Sequence, residues 1–279
     1  MRRRAPRGAR VPSYKADGII LKARDFGESD RILTILDRSL GKLEAVAKGT
    51  RRTQSVLRGP CQPFSHNLFF LWQGRTLDGV SECEIVESFA PLRDDLLKLA
   101  AASYMVELVD DIARDQDPNP DIFDLTLEHF RRLEAAEATP ANVNHILRSF
   151  DLRLLGLAGF SPSLDACATC GQPVGLWAGV GAVAFSPVAG GVVCPACRAV
   201  SAGDGAEGQG DTPGPVVILL AAGTLATMRH LAKATTEQAR ILRLTPRAAK
   251  EMERALRAHI LYHLDRQLKS LDFLDSVLE

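Results

Sequence analysis

The 279-residue sequence predicts an α+β, multidomain chain: an N-terminal five-stranded β-barrel, an α-helical bundle, and a four-cysteine ribbon inserted into that bundle. Three observations carry this. Short apolar runs broken by glycine turns fill residues 13–90, and helical periodicity takes over after Pro91. Two Cys-x-x-Cys pairs, Cys167-Ala168-Thr169-Cys170 and Cys194-Pro195-Ala196-Cys197, then stand twenty-three residues apart.

Residues 1–12 contain Arg2, Arg3, Arg4, Arg7 and Arg10 with almost no apolar content, the composition of a disordered basic arm. Strands are expected at 14–22, 31–37, 42–48, 67–72 and 77–89, with Gly27, Gly41, Gly49, Gly59 and Gly74 at or near the breaks. Ser39-Leu40-Gly41-Lys42 suits a hairpin connection. Five short strands without a helical period among them fit a small closed barrel of the oligonucleotide-binding (OB) type. Ile32-Leu33, Ile35-Leu36 and Leu68-Phe69-Phe70-Leu71 put apolar residues on both faces, so the outside of the barrel is expected to be partly covered by another domain. Within the last run, Phe69, Phe70 and Trp72 read as core.

After Pro91, Leu92, Leu96, Leu99, Tyr104, Met105, Leu108, Val109 and Ile112 keep one face of a long helix that ends before the turn at 115–120. Asp121 begins a second helix, with Phe123, Leu127, Phe130 and Leu133 on its apolar side. Thr139 can cap a third, with Pro140 at its first position and Val143, Ile146, Leu147, Phe150, Leu154, Leu155 and Leu157 as its core stripe. The ribbon follows. The glycine-rich stretch at 201–215 reads as a flexible insert. Helices are expected beyond it at about 216–233 and about 247–269, the latter capped by Thr245 before Pro246. The domain boundaries are therefore 1–12, 13–90, 91–163 for the first part of the helical domain, 164–200 for the ribbon, 201–215, and 216–279 for its second part.

A Cys-x-x-Cys turn brings two thiolates to one point, and two such turns make the closed, all-sulfur tetrahedron that zinc prefers. With Cys167, Cys170, Cys194 and Cys197 as ligands the ion is saturated, so one structural Zn2+ per chain is expected rather than a catalytic metal. A thioredoxin-type redox motif would be one pair beside a βαβ unit, and the segment between these pairs offers none. A pair of disulfides would need an oxidising compartment, but the arginine-rich N-terminus has no apolar signal core and no run approaches the roughly eighteen apolar residues of a membrane span. The cytoplasm is the expected location. Cys61 and Cys83 stand alone and read as small buried apolar residues.

The formal net charge of zero hides a dipole. Residues 1–75 hold sixteen Lys or Arg against six Asp or Glu, and the remainder holds eighteen against twenty-eight. The basic third is the candidate for polyanion contact.

Two stretches, Gly18-Ile19-Ile20-Leu21-Lys22-Ala23-Arg24-Asp25-Phe26-Gly27-Glu28-Ser29-Asp30-Arg31 and Gly41-Lys42-Leu43-Glu44-Ala45-Val46-Ala47-Lys48-Gly49-Thr50-Arg51-Arg52, together with Gln62-Pro63-Phe64, Leu154-Leu155-Gly156-Leu157-Ala158-Gly159-Phe160-Ser161-Pro162 and residues 263–274, resemble the RecO family of DNA repair and recombination proteins. The resemblance runs from about residue 14 to 274. It leaves the arginine-rich arm and the glycine-rich insert unexplained. It implies a non-enzymatic mediator that binds single- and double-stranded DNA, anneals complementary strands, works with RecR, engages the acidic C-terminal tail of the single-strand binding protein (SSB), and helps load RecA. It also implies a cytoplasmic, nucleoid-associated location.

The candidate DNA-binding residues are Lys22, Arg24, Arg31, Lys42, Lys48, Arg51, Arg52, Arg58 and Arg75, with Phe26 as the stacking candidate in a polar turn. The alternative for them is a solvated, salt-bridged barrel surface, to which Arg24-Asp25 and Asp30-Arg31 are suited. Lys48, Arg51 and Arg52 are the stronger candidates, because no acidic residue lies between Ala45 and Asp78. Arg131, Arg132, Arg148 and Arg153 could rim a pocket for the acidic tail, or be ordinary helix surface. A zinc-ribbon scaffold that binds only protein is the alternative function. An enzyme is the rival class: His259 and His263 at i, i+4 could share a metal with Asp265 near, but position 260 is Ile and no phosphate loop, nucleophile elbow or carboxylate cluster is present.

Overall fold

The computed structural model describes residues 12–177, 179, 181–203, 217–234 and 236–278. The basic arm, apart from Pro12, and the glycine-rich insert from residue 204 onward lie outside the described residues. The chain divides into two compact units, one made of the residues up to Asp94 with Val106–Glu134, the other of Asp95–Met105 with the residues from Ala135 onward.

In the first unit five strands close a barrel in the order β1-β2-β3-β5-β4: β1 Ser13–Phe26, β2 Asp30–Asp37, β3 Gly41–Ala47, β4 His66–Trp72 and β5 Asp78–Glu87. All neighbours are antiparallel except β3 and β5, which meet in parallel through only two residue pairs, Ala45 with Asp78 and Val46 with Gly79. Alternation fills the interior with Ala16, Ile20, Leu33, Ile35, Ala45, Ala47, Phe69, Leu71 and Val80. Cys61 is fully buried in this core; Cys83 is only partly buried and packs against it with its sulfur hydrogen-bonded to Cys61, a contact that with burial raises the Cys83 thiol, so the two cysteines that read as isolated in the sequence are neighbours. The doubly apolar stretches divide differently than expected. Ile19, Ile32 and Leu36 are buried as well, whereas Leu68 and Phe70 are 42% and 36% exposed. Phe70 is therefore no core residue; it pairs across the ladder with Lys15, whose Nζ lies 5.0 Å from its ring.

The cover expected for the barrel comes from its own unit. In α3 (Pro120–Ala135), Phe123 meets the His66 ring edge-on at 5.6 Å and the Arg38 guanidinium at 4.5 Å, and Phe130 meets Phe64 and Phe89. Arg131 pairs with Glu87 through two hydrogen bonds, one of them 2.8 Å. A boundary at residue 90 thus differs from the compact units, because these aromatic contacts place α3 with the strands.

The expected long first helix is divided into α1 (Pro91–Asp94) and α2 (Leu96–Ile112), since the Asp95 carboxylate accepts the Lys98 N–H and starts a new helix. Leu96, expected on the core face, lies in that first turn and is 60% exposed. In the second unit α4 (Pro140–Leu157) is capped as expected by Thr139, whose hydroxyl accepts the Asn142 N–H. Its stripe is buried from Val143 to Leu155, while Leu157, at the last turn, is exposed.

A three-stranded sheet orders β7 (Gly191–Val193), β6 (Val183–Ser186) and β8 (Ile218–Leu220), and α5 (Pro195–Gly203) starts within the second Cys-x-x-Cys turn and runs through residues 201–203, which the sequence assigned to the flexible insert. Residues 218–220 are thus a strand and not the start of a helix: pairing with Val183–Phe185 captures them, and α6 begins only at Ala222, running to Lys233. After a short α7 (Thr236–Ile241), α8 (Pro246–Leu264) starts at Thr245, which accepts the Ala248 N–H. It stops at Asp265 in a left-handed conformation, and α9 (Lys269–Leu278) follows, so the single helix expected to about 269 is two. α4, α6 and α8 pack on one another, with β8 against α8.

Candidate metal centre and nucleic-acid surface

The ribbon is built from close backbone approaches. Ser163 N–H donates to Gly190 O and Val192 N–H to Ser163 O, and a Cβ on Gly191 would lie 2.3 Å from Ser163 O, so only glycine fits there. This clamp, with Ala168 N–H donating to Val192 O, brings the first Cys-x-x-Cys turn to the second. The sulfurs of Cys167, Cys170, Cys194 and Cys197 all lie within 4.8 Å of one another, and Cys170 Sγ is 3.8 Å from Cys194 Sγ. A tetrahedron with metal–sulfur bonds of ~2.3 Å has edges of about 3.8 Å, so the four thiols fit one soft ion with no open position.

The backbone prepares the charge. Cys194 N–H points at Cys167 Sγ (3.3 Å) and Cys197 N–H at Cys194 Sγ (3.5 Å). Burial pushes the Cys167 thiol up, but the N–H groups of Cys194, Cys170 and Thr169 outweigh it and bring the group down to about 6. Cys197 is pushed up to about 12, chiefly by hydrogen bonding to the Cys194 and Cys170 sulfurs. Ala184, Val193 and the Trp177 side chain close over the cluster.

The nine cations singled out in the sequence fall into three groups. Lys22, Arg24 and Lys42 line a cleft of about 670 Å³ together with Glu44, Asp78, Asp110 and Asp115. There Lys22 and Lys42 share Asp110 at 2.5 and 3.3 Å, and Arg24 takes Glu44 at 2.9 Å. The two lysines hold the Asp110 carboxyl below its usual range against the opposing effect of burial. Its three cations thus face four carboxylates.

The second group is Arg31 and Arg51, both on Asp25, with Nε–oxygen distances of 3.1 and 3.4 Å. Arg51 therefore does have an acidic neighbour, which sequence separation concealed: the β1–β2 turn folds onto the start of the β3–β4 connection. Arg51 N–H donates to Ser29 O and Gly49 N–H to the Asp30 carboxylate (2.8 Å), a bond that is the main reason the Asp30 pKa is lowered, with Lys48 and Arg52 adding to it.

The third group, Lys48, Arg52, Arg58 and Arg75, is exposed and makes no ion pair within 4 Å among the described residues. Phe26, half exposed, ends β1, one residue before the Gly27 carbonyl that the Arg51 guanidinium reaches. Trp72, expected in the core, is only half-buried. Its indole lies on Gly79, where a Cβ would come within 2.0 Å of the ring, and Lys48 Nζ stands 5.5 Å from a ring centroid. Periodicity missed it because the alternation of β4 ends at the barrel rim.

The remaining candidates separate cleanly. Arg148 cannot rim a pocket, because it is fully buried, 3.3 Å from an equally buried Asp151 that also accepts the Tyr104 hydroxyl. Arg131 is committed to Glu87, and Arg132 reaches His129 Nε2 at 3.2 Å. His259 bonds the Phe160 carbonyl at 2.8 Å. Among the described residues no three His, Cys, Asp or Glu donors gather other than the four cysteines, so His259 and His263 do not make a metal site.

Comparison with known proteins agrees with this architecture. The family profile for the recombination protein O N terminal matches residues 11–89, and that for the recombination protein O C terminal matches residues 93–272. The chain is 40% identical over 266 residues to the DNA repair protein RecO of Symbiobacterium thermophilum, covering 95% of this chain and 97% of that one. The RecO of Pelotomaculum thermopropionicum is 37% identical over 262 residues (94% and 93% covered), and that of Anaeromyxobacter dehalogenans 36% over 266 residues (94% and 96%). A five-stranded barrel, a helical second part with a four-cysteine centre, and two family profiles spanning nearly all of the sequence lead to one conclusion: the chain belongs to the RecO family of DNA repair and recombination proteins.

Proposed function

We propose that this chain is a recombination mediator that binds single- and double-stranded DNA on the exposed basic edge of its barrel, anneals complementary strands, and with RecR helps load RecA onto SSB-coated single strands. The observation that carries the reading is the loop leaving β3. Its backbone is tied to the β1–β2 turn, and it holds Lys48, Arg52 and Arg58 outward without ion pairs among the described residues. A phosphate that meets these cations breaks no ion pair among the described residues and competes only with the longer-range pull of Asp30 and, for Lys48, the Trp72 ring. Arg75 follows Trp72 in the β4–β5 turn and extends the same charge, and Trp72 and Phe26 supply aromatic faces. The cleft of Lys22, Arg24 and Lys42, where carboxylates outnumber cations, contributes less, because each cation there must first leave a carboxylate.

The ion at the four cysteines is zinc in this reading, and its role is to fold the ribbon. We place the protein in the cytoplasm on the nucleoid, in keeping with the absence, among the described residues, of any helix long and apolar enough to cross a membrane. RecR and the SSB tail are partners by kinship with the family.

The test is oligonucleotide affinity across salt. Removing Lys48, Arg52 and Arg58 together lowers the slope of log K against log salt by about 0.7 for each contact, roughly 2 in all, with little dependence on base sequence. An unchanged slope, or no salt-dependent binding by the wild type, would favour a scaffold that meets only protein.

A further inference from the structure

Asp25 stands where the proposed surface would seat a phosphate. Its two oxygens take different arginines: Oδ1 is 3.1 Å from Arg31 Nε on β2, and Oδ2 is 3.4 Å from Arg51 Nε on the loop after β3. A single anion bridging two guanidinium groups from separate elements has the charge and acceptor arrangement of a phosphodiester. The Asp25 side chain is 54% exposed, so the bridge faces solvent and is open to competition.

Its neighbour in the turn does a different job. The Asp30 carboxylate accepts the Gly49 N–H and so shapes the loop backbone. Asp25 contributes only side-chain pairing to the two arginines, while the loop is held independently by Arg51 N–H on Ser29 O and by the Arg51 guanidinium on Gly27 O at 3.5 Å. Neutralising Asp25 therefore leaves the loop scaffold in place.

We infer that Asp25 is an affinity-setting residue that withholds Arg31 and Arg51 from the nucleic-acid strand, so that the wild-type surface grips DNA through its unpaired cations alone. This rests on the DNA-binding reading above. Its chemistry suits a mediator: a protein that anneals strands must release them, and a built-in anion keeps two strong phosphate ligands in reserve. Freed from Asp25, each arginine adds one phosphate contact, which steepens the salt slope by about 0.7 and, at ~0.1 M salt, tightens binding about fivefold.

The experiment titrates a labelled oligothymidylate with the full chain at several salt concentrations. Asp25→Asn is expected to bind about fivefold tighter for each arginine released, with the slope steeper by about 0.7 to 1.4. Glu28→Gln removes an exposed charge in the same turn that is in no ion pair among the described residues, and it controls for net charge, leaving the slope unchanged. Arg51→Ala changes the wild-type slope little, yet in the Asp25→Asn background it takes back about 0.7. If Asp25→Asn behaves like Glu28→Gln while the Lys48, Arg52 and Arg58 triple variant still loses slope, the DNA surface stands and the role of Asp25 is overturned. If the triple variant keeps the wild-type slope, the surface itself is misplaced and the inference goes with it.

Discussion

Trp72 shows how a single contact decides the use of a side chain. The indole occupies the space that a side chain at the paired position 79 would need, so Gly79 and Trp72 form one fitted unit at the barrel rim. Gly79→Ala is expected to destabilise the protein by about 1–3 kcal/mol through overpacking and to shift the tryptophan emission. Denaturant melts and fluorescence in a Trp177→Phe background check both, and an unchanged emission would mean that the ring has other room. Nothing in β4 announces this: Phe69 and Trp72 are equally apolar, and only the backbone gap at Gly79 separates core from rim. Arg148 is the reverse case. Its helical position resembles that of any surface arginine, yet it is fully buried beside Asp151, where desolvation is the main cause raising the carboxyl.

Among the elements, local chemistry fixes the helix starts and tertiary pairing fixes the exceptions. Thr139-Pro140 and Thr245-Pro246 were legible as caps because a hydroxyl that can accept an N2 or N3 N–H, followed by a proline lacking one, is favourable in any context. Thr245→Ala is expected to cost about 1 kcal/mol, measured as a lower melting midpoint, and Thr245→Ser to restore it. The segment at 218–220 was illegible for the opposite reason. An apolar triplet suits a helix or a strand, and β6, more than thirty residues earlier, supplies the hydrogen bonds that settle it. The first helix likewise divides at Asp95, a cap hidden within a continuous apolar period.

Across the whole molecule the metal and the barrel report on separate parts of the chain. Cys194→Ser is expected to take bound zinc from one ion per chain to none and to remove hydrogen-exchange protection from β6 and β7 while leaving that of β1 to β5. Elemental analysis and exchange on the same sample check this, and a barrel that loses protection too would show that the ribbon supports more than itself. The sequence by itself determined that five strands make a barrel, most of its core, two helix caps and the pairing of four cysteines, because each depends on residues within a few positions of one another or on a spacing rule; the strand order, with β3 beside β5, came only from the tertiary structure. It also showed the excess of basic charge in residues 1–75. Tertiary structure alone decided which of those charges are free. Asp25 lies twenty-six residues from Arg51, and Asp110 eighty-eight from Lys22, yet folding sets them within ion-pair distance, and Coulombic partnership depends on separation in space and not along the chain.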